Sequence, residues 1–281
     1  MQQSAKNEVK QLINGIPTSD GDGVHLTRLI GNAKLMQLDP FLLFDAFGSD
    51  QPQDYIGGFP PHPHRGFETV TYMLAGKMRH QDSVGNSGVI SADGVQWMTA
   101  GKGIIHSEMP EQEQGLLAGF QLWVNLPAND KMTTPKYQEH SAANIPQEKR
   151  EFSTVKVIAG TTMQGTTGII DNKTTAPLYW DVNLTAQQCF NDNIASTHNG
   201  FIYVISGELS VGEQQTKVTK GQIATLTTGD IFTVNASQDS RFLVIAGKPL
   251  NEPVERAGPF VMNTRQEIEQ AFADYQHGRL A

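Results

Sequence analysis

Short apolar runs, each closed by glycine or a polar turn, recur along the whole chain. Gly66-Phe67-Glu68-Thr69-Val70-Thr71-Tyr72-Met73-Leu74 is aromatic and β-branched, and Gly76 closes it. Gly88-Val89-Ile90 and Val95-Gln96-Trp97-Met98-Thr99 follow, each bounded by glycine. Phe120, Leu122, Val124 and Leu126 alternate strictly with other residues and so share one face. Apolar-in, polar-out alternation predicts a strand with one buried face.

A polar, proline-containing link near Asp130 to Pro146 separates these strands from a second set. Thr154-Val155-Lys156-Val157-Ile158-Ala159-Gly160 opens the second set, and Leu178 to Leu184 alternates again. The run Phe201 to Leu209 echoes Val70 to Met78: an aromatic, branched strand, a small residue, a glycine, then a new strand. Gly221 to Leu226 and Phe242 to Gly247 complete the set. Two similar halves of short strands predict an all-β chain with a duplicated sandwich or barrel. The link places the boundary between domains 1–135 and 136–281. One helix is predicted, at about 264–277, within the second domain. Thr264 and Glu267 form a capping box. Ile268, Ala271, Phe272 and Tyr275 fall on one helical face, and Gly278 stops the helix.

With 281 residues the chain has room for two domains and a sizeable core, so a metal would serve chemistry rather than folding. Its 21 basic and 29 acidic residues, net −8, argue against a general nucleic-acid binder. A single cysteine, Cys189, excludes an intramolecular disulfide and thiolate metal clusters, and is expected to be an inert, half-buried thiol. No segment reads as a signal peptide or a membrane span. The expectation is a cytoplasmic monomer, or a nuclear one if the source is eukaryotic.

The candidate chemistry lies in the histidines. Of eight, His62 and His64 stand two apart in Pro61-His62-Pro63-His64. Residues two apart share a face in an extended chain, and the prolines favour that extension. His106 and Glu108 are again two apart, just after the turn glycines Gly101 and Gly103. On neighbouring antiparallel strands the two pairs can meet on one inner face. An isolated HxH is more often a surface or hydrogen-bonded pair, but two such pairs at barrel-like separation favour a metal. Three imidazoles and a carboxylate suit iron, nickel, copper, manganese, zinc or cobalt, with coordination positions left open. Glu68 competes with Glu108 as the carboxylate: it shares the face of His62 and His64 if the strand is unbroken, and loses it if Gly66 carries a bulge.

Beyond these residues, the chain resembles the pirin family of the cupin superfamily. The likeness runs through Leu38-Asp39-Pro40-Phe41-Leu42-Leu43-Phe44-Asp45, Gly58-Phe59-Pro60, His62 to Val70, Gln96 to Gly101, Glu108-Met109-Pro110, Leu122 to Leu126 and Gly258 to Thr264. The resemblance implies two tandem cupin (jelly-roll) barrels with a short C-terminal helix. It implies one iron held by His62, His64, His106 and Glu108, favouring Glu108 over Glu68. The second barrel has Thr197-His198-Asn199-Gly200-Phe201 where the first has the HPH motif, so no metal is expected there.

Pirin-like proteins are associated with quercetin 2,3-dioxygenase activity. The implied reaction is cleavage of a flavonol ring by O₂ with release of carbon monoxide, with Fe(II) as first-choice metal and Glu108 as base. Phe59, Phe67, Trp97 and Met98 divide between an apolar pocket and the core. The alternative is an iron-dependent, redox-sensing regulator that binds a transcription factor or a metabolic enzyme, with a basic surface near Arg65, Lys77 and Arg79 for an acidic protein partner. A pocket beside the metal separates the two readings.

Overall fold

The structure, a computed structural model, describes residues 5–281. It contains two units built on one plan. The first unit comprises residues 16–37, 41–142 and 250–281; the second is the segment ending at Gly15 together with 38–40 and 143–249. Each is a jelly-roll of one seven-stranded and one four-stranded antiparallel sheet.

In the first barrel the large sheet runs, edge to edge, Lys136–His140, Val95–Thr99, Phe67–Ala75, Leu117–Asn125, Phe41–Ser49, Val24–Ile30 and Ile16–Asp20. Its small sheet runs Phe59–His64, Ile104–Pro110, Lys77–Asp82 and Ser87–Ser91. In the second barrel the large sheet runs Val9–Asn14, Gln222–Leu226, Asn199–Ser206, Ser240–Gly247, Leu178–Leu184, Ser153–Ala159 and Gln147–Lys149. Its small sheet runs Cys189–Asn193, Ile231–Ala236, Glu208–Val211 and Thr216–Thr219. The two orders correspond strand for strand. The echo between Val70 to Met78 and Phe201 to Leu209 is therefore a real duplication.

The units do not follow a single cut between 135 and 136: Lys136–His140 pairs with Val95–Thr99 in the first barrel, and residues 250–281 return to it. The strand Val9–Asn14 pairs with Gln222–Leu226, placing Leu12 opposite Ala224, so it closes the second barrel. The helix Arg265–Gln276 belongs to the first barrel. Its Ile268 and Ala271 pack with Phe260, Met262, Leu280 and Ile105. Burial of this apolar cluster, at roughly 25 cal/mol per Å², holds the returning segment in place. The capping box forms as expected: Thr264 accepts from the Glu267 N–H, and the Glu267 carboxylate accepts from the Thr264 N–H. Phe272 and Tyr275 stay largely exposed, though both ring edges touch Phe260.

The second barrel is filled. Val155, Val157, Trp180, Val182, Phe190, Ile202, Val204, Phe232, Phe242 and Val244 belong to one continuous apolar cluster. In the first barrel the Leu117–Asn125 strand buries both faces. Phe120, Leu122 and Val124 are buried as expected, with Phe120 stacked on Phe44 at 5.5 Å. Its other face, carrying Gln121 and Trp123, lines a cavity.

Candidate metal centre

The strand Phe59–His64 contains three of the chain's prolines, which hold it extended and leave it short of hydrogen-bond donors. Its partner is Ile104–Pro110, with His106 opposite His62 and Ile104 opposite His64. This register brings the three rings together. Ring centroids lie 4.7 Å apart for His62–His64, 4.4 Å for His62–His106 and 4.9 Å for His64–His106. One nitrogen from each ring falls within 4.8 Å of the others.

Gly66 makes the turn out of this strand. Its φ is +87°, and a Cβ there would stand 1.9 Å from the Val261 carbonyl oxygen. Only glycine tolerates both conditions. The break at Gly66 separates Phe59–His64 from Phe67–Ala75, so Glu68 does not continue the face of the histidines. Glu68 instead accepts a hydrogen bond from the Thr99 hydroxyl at 2.7 Å.

The imidazoles are arranged as ligands rather than as a hydrogen-bonded cluster. His62 Nδ1 donates to the Pro60 carbonyl at 2.8 Å, and His64 Nδ1 to the Pro259 carbonyl at 3.3 Å. A carbonyl can only accept, so both Nδ1 atoms carry the proton and both Nε2 atoms present lone pairs. Those two Nε2 atoms stand 3.1 Å apart. Two lone pairs at that distance repel unless a cation lies between them. His106 is buried, and neither of its ring nitrogens has a hydrogen-bond partner. Burial, and secondarily the neighbouring imidazoles, push His64 and His106 well below the ordinary histidine range. Neutral imidazole is the form that binds metal. The donor set fits a transition-metal ion.

Glu108 is outside this group of three and lines a cavity of about 570 Å³ that His62 and His64 also line. Gln121 Nε2 donates to Glu108 Oε2 at 3.2 Å. The Thr71 oxygen lies 2.7 Å from both Glu108 Oε1 and Gln121 Oε1. The Thr71 hydroxyl donates to Oε1 and the Gln121 amide to Oε2, so these two side chains hold the Glu108 carboxyl group in place. Leu26, Leu43, Phe47, Phe59, Met78 and Trp123 form the apolar wall. The exposed residues Asp20, Gly21, Pro60, Arg256 and Gly258 mark the mouth.

Two family models match the chain, Pirin over residues 23–124 and the pirin C-terminal cupin domain over 179–281. A pirin-like protein of Caulobacter vibrioides is 51% identical across 96% of this chain and 98% of its own length. The chain belongs to the pirin family. A Pseudomonas aeruginosa protein whose provisional name is quercetin 2,3-dioxygenase is 46% identical across 98% of both chains. The crystal structure of a quercetin 2,3-dioxygenase from Acinetobacter baumannii superposes with a TM-score of 0.90, at 35% identity, covering 99% of each chain.

Within this pirin, several site residues escaped the sequence reading. Gln121 and Thr71 hold the Glu108 carboxyl, and Gln121 sits on the face of its strand that alternation assigned to solvent. His80 packs against His106 at 5.4 Å, stacks on Tyr137 at 4.7 Å and places Nε2 3.1 Å from Asp82. The spacing of His80 and Asp82, again two apart, was the available signal. Arg65 is not part of a basic surface. It is buried, donating to the Asp274 carboxylate and the Lys102 carbonyl. Arg79 is paired with Glu111. Phe59 lines the cavity, whereas Phe67, Trp97 and Met98 are core. Cys189 is exposed rather than half-buried, because it opens an edge strand whose inward side chains are Phe190 and Asp192. Among the described residues, His62, His64 and His106 form the one group with metal-binding geometry. His198 in the second barrel has no such companions.

Proposed function

We propose that this pirin is a metal-dependent dioxygenase of the quercetin 2,3-dioxygenase type, cleaving a flavonol with O₂ and releasing carbon monoxide. One observation carries the reading: a cavity of about 570 Å³, lined by apolar side chains together with polar and charged ones, to which His62, His64 and Glu108 all contribute. That volume lies within the range of small-molecule sites, roughly 300–1,000 Å³.

His62, His64 and His106 would hold the ion, with Glu108 as fourth ligand. A bound divalent ion, Fe(II) first, supplies Lewis acidity and a template for orienting the flavonol. The chain's own residues supply the rest. Glu108 takes the proton of the flavonol 3-hydroxyl, leaving the heterocycle electron-rich toward O₂. Thr71 and Gln121 fix the carboxyl group by donating to Oε1 and Oε2. The carbonyls of Pro60 and Pro259 hold His62 and His64 in the ligating tautomer. Leu43, Phe47, Phe59 and Trp123 exclude water and grip the flat rings. One flavonol and one O₂ yield one phenolic ester and one carbon monoxide.

The test is anaerobic loading with Fe(II), then quercetin and O₂ with carbon monoxide detection. Parallel arms with nickel, copper, manganese, zinc and cobalt decide the metal. Stoichiometric carbon monoxide supports the reading. Fully loaded protein that releases none with any of these metals returns the regulatory alternative, in which the iron state is sensed by a protein partner.

A further inference from the structure

Two arginines line the cavity, and they are held differently. Arg28 donates through Nε and Nη2 to the Asp45 carboxylate, at 3.0 and 2.7 Å, and through Nη2 to Asp20 at 2.9 Å. Its charge is met by two carboxylates. Arg256 lies at the mouth, on the short strand Glu255–Ala257. Its guanidinium carbon sits 4.5 Å from the centre of the Trp123 ring. Nη1 reaches a single acceptor, the Leu42 carbonyl, at a long 3.4 Å. No carboxylate pairs with Arg256 among the described residues. Of the two cations on the wall, this one keeps N–H donors for a ligand.

Trp123 connects Arg256 to the histidines. Its ring meets the His64 ring edge-on at 5.2 Å and carries the guanidinium at 4.5 Å. Phe67 packs on the same ring at 4.3 Å, so the indole is a fixed support for the guanidinium. A flat ligand that addresses the histidines with one end and runs past the indole edge brings its other end to Arg256. The guanidinium fork matches a carboxylate in two parallel hydrogen bonds, and the stacking on Trp123 pre-orients it.

We infer that the substrate carries an anionic oxygen group, a carboxylate or an acidic phenolate, on the ring far from its metal-binding end, and that Arg256 is the specificity residue that receives it. The inference rests on the reading of this cavity as the substrate site. Its probe pairs also separate it from the choice of flavonol.

Binding is read on the intact protein by quenching of tryptophan fluorescence. Trp123 lines the cavity, whereas Trp97 and Trp180 are buried in the cores. The first probe pair is 4′-carboxy-3-hydroxyflavone and its methyl ester. The second is 2-naphthoate and 2-naphthalenemethanol, which carry no flavonol head. In each pair the wild type binds the acid about tenfold more tightly than its neutral partner, the worth of one charge-assisted contact. Arg256→Met brings acid and neutral probe within about twofold, and Arg256→Lys retains part of the preference. Unchanged metal content and thermal midpoint show that the variants are folded. Equal binding of acid and neutral probes to the wild type, or a preference that survives Arg256→Met, overturns the inference. An Arg256-dependent preference in the naphthalene pair without carbon monoxide from any flavonol upholds the anion site and removes the dioxygenase reading. Carbon monoxide from both flavonols at equal affinity does the reverse.

Discussion

Thr71 and Ile202 hold the same place in the two barrels, each on the strand that ends at its hairpin glycine, Gly76 or Gly207. Across the sheet from Thr71, the paired residues are Gln121, Asp45 and Arg28. Across from Ile202 they are Val244, Trp180 and Val157. One row is polar and borders a cavity; the other is apolar and belongs to a filled core. The backbone plan accepts either. A jelly-roll is therefore closed by its strand pairing, and what fills it is free to serve stability in one copy and chemistry in the other. The first barrel forgoes apolar contacts at the row where it places Glu108's partners, a compromise typical of functional sites.

The comparison can be broken most severely at His106. His106→Ala removes one of three imidazoles, and we expect stoichiometric metal binding to be lost and turnover to fall at least about a thousandfold. Metal analysis after dialysis and carbon monoxide assays check this; retained activity means the centre lies elsewhere.

Next in size is a reciprocal exchange between the rows. Val244→Gln puts an unpaired amide into the filled core and should cost about 3–4 kcal/mol in urea unfolding. Gln121→Val in the first barrel should change stability by less than about 1 kcal/mol, yet lower turnover about tenfold by freeing the Glu108 carboxyl. Equal destabilisation by the two changes erases the distinction between the barrels.

Lys131 sharpens the contrast, for it is a buried cation in the first barrel. Its ammonium donates to the Gly66 carbonyl, Asn125 Oδ1 and the Val261 carbonyl at 2.8, 2.7 and 3.1 Å. Lys131→Met leaves those acceptors unpaired and should cost about 3 kcal/mol. Burial pushes its pKa down from 10.5 to about 8. The unfolded chain keeps the proton between those values while the folded chain gives it up. Stability contributed by this group is therefore lowest below pH 8 and rises as pH climbs from about 8 to 10.5. Denaturation across that window should show the rise in the wild type and its absence in Lys131→Met.

The smallest effect is at the helix. Thr264→Ala removes a cap worth about 1 kcal/mol. Hydrogen exchange should quicken in Arg265–Gln276 and leave the Ser240–Gly247 strand of the second barrel untouched.

Much of this was legible in the residue order. Alternation and glycine punctuation placed the strands, and the capping box placed the helix. The spacings around His62, His64 and His106 pointed to the three imidazoles that each place a nitrogen within 4.8 Å of the others, a group that does not include Glu108. What escaped was set by long-range pairing. Val9–Asn14 reads as an edge strand for any sheet, and nothing local to it names Gln222–Leu226 as partner. Polar positions on Leu117–Asn125 read as solvent-facing because alternation reports polarity and not which side is hollow. The contributions of Pro259 and Arg256 depend on a return of the chain across the first barrel, which periodicity does not encode.

That return has a consequence for how the centre is assembled during synthesis. His62, His64 and His106 leave the ribosome long before Pro259, which orients His64, and before Val261, whose carbonyl fits against Gly66 and Lys131. The second barrel is translated in the interval. A metal ion offered early would meet imidazoles still free to turn, and the arrangement of the three rings is complete only when the final strand and helix dock.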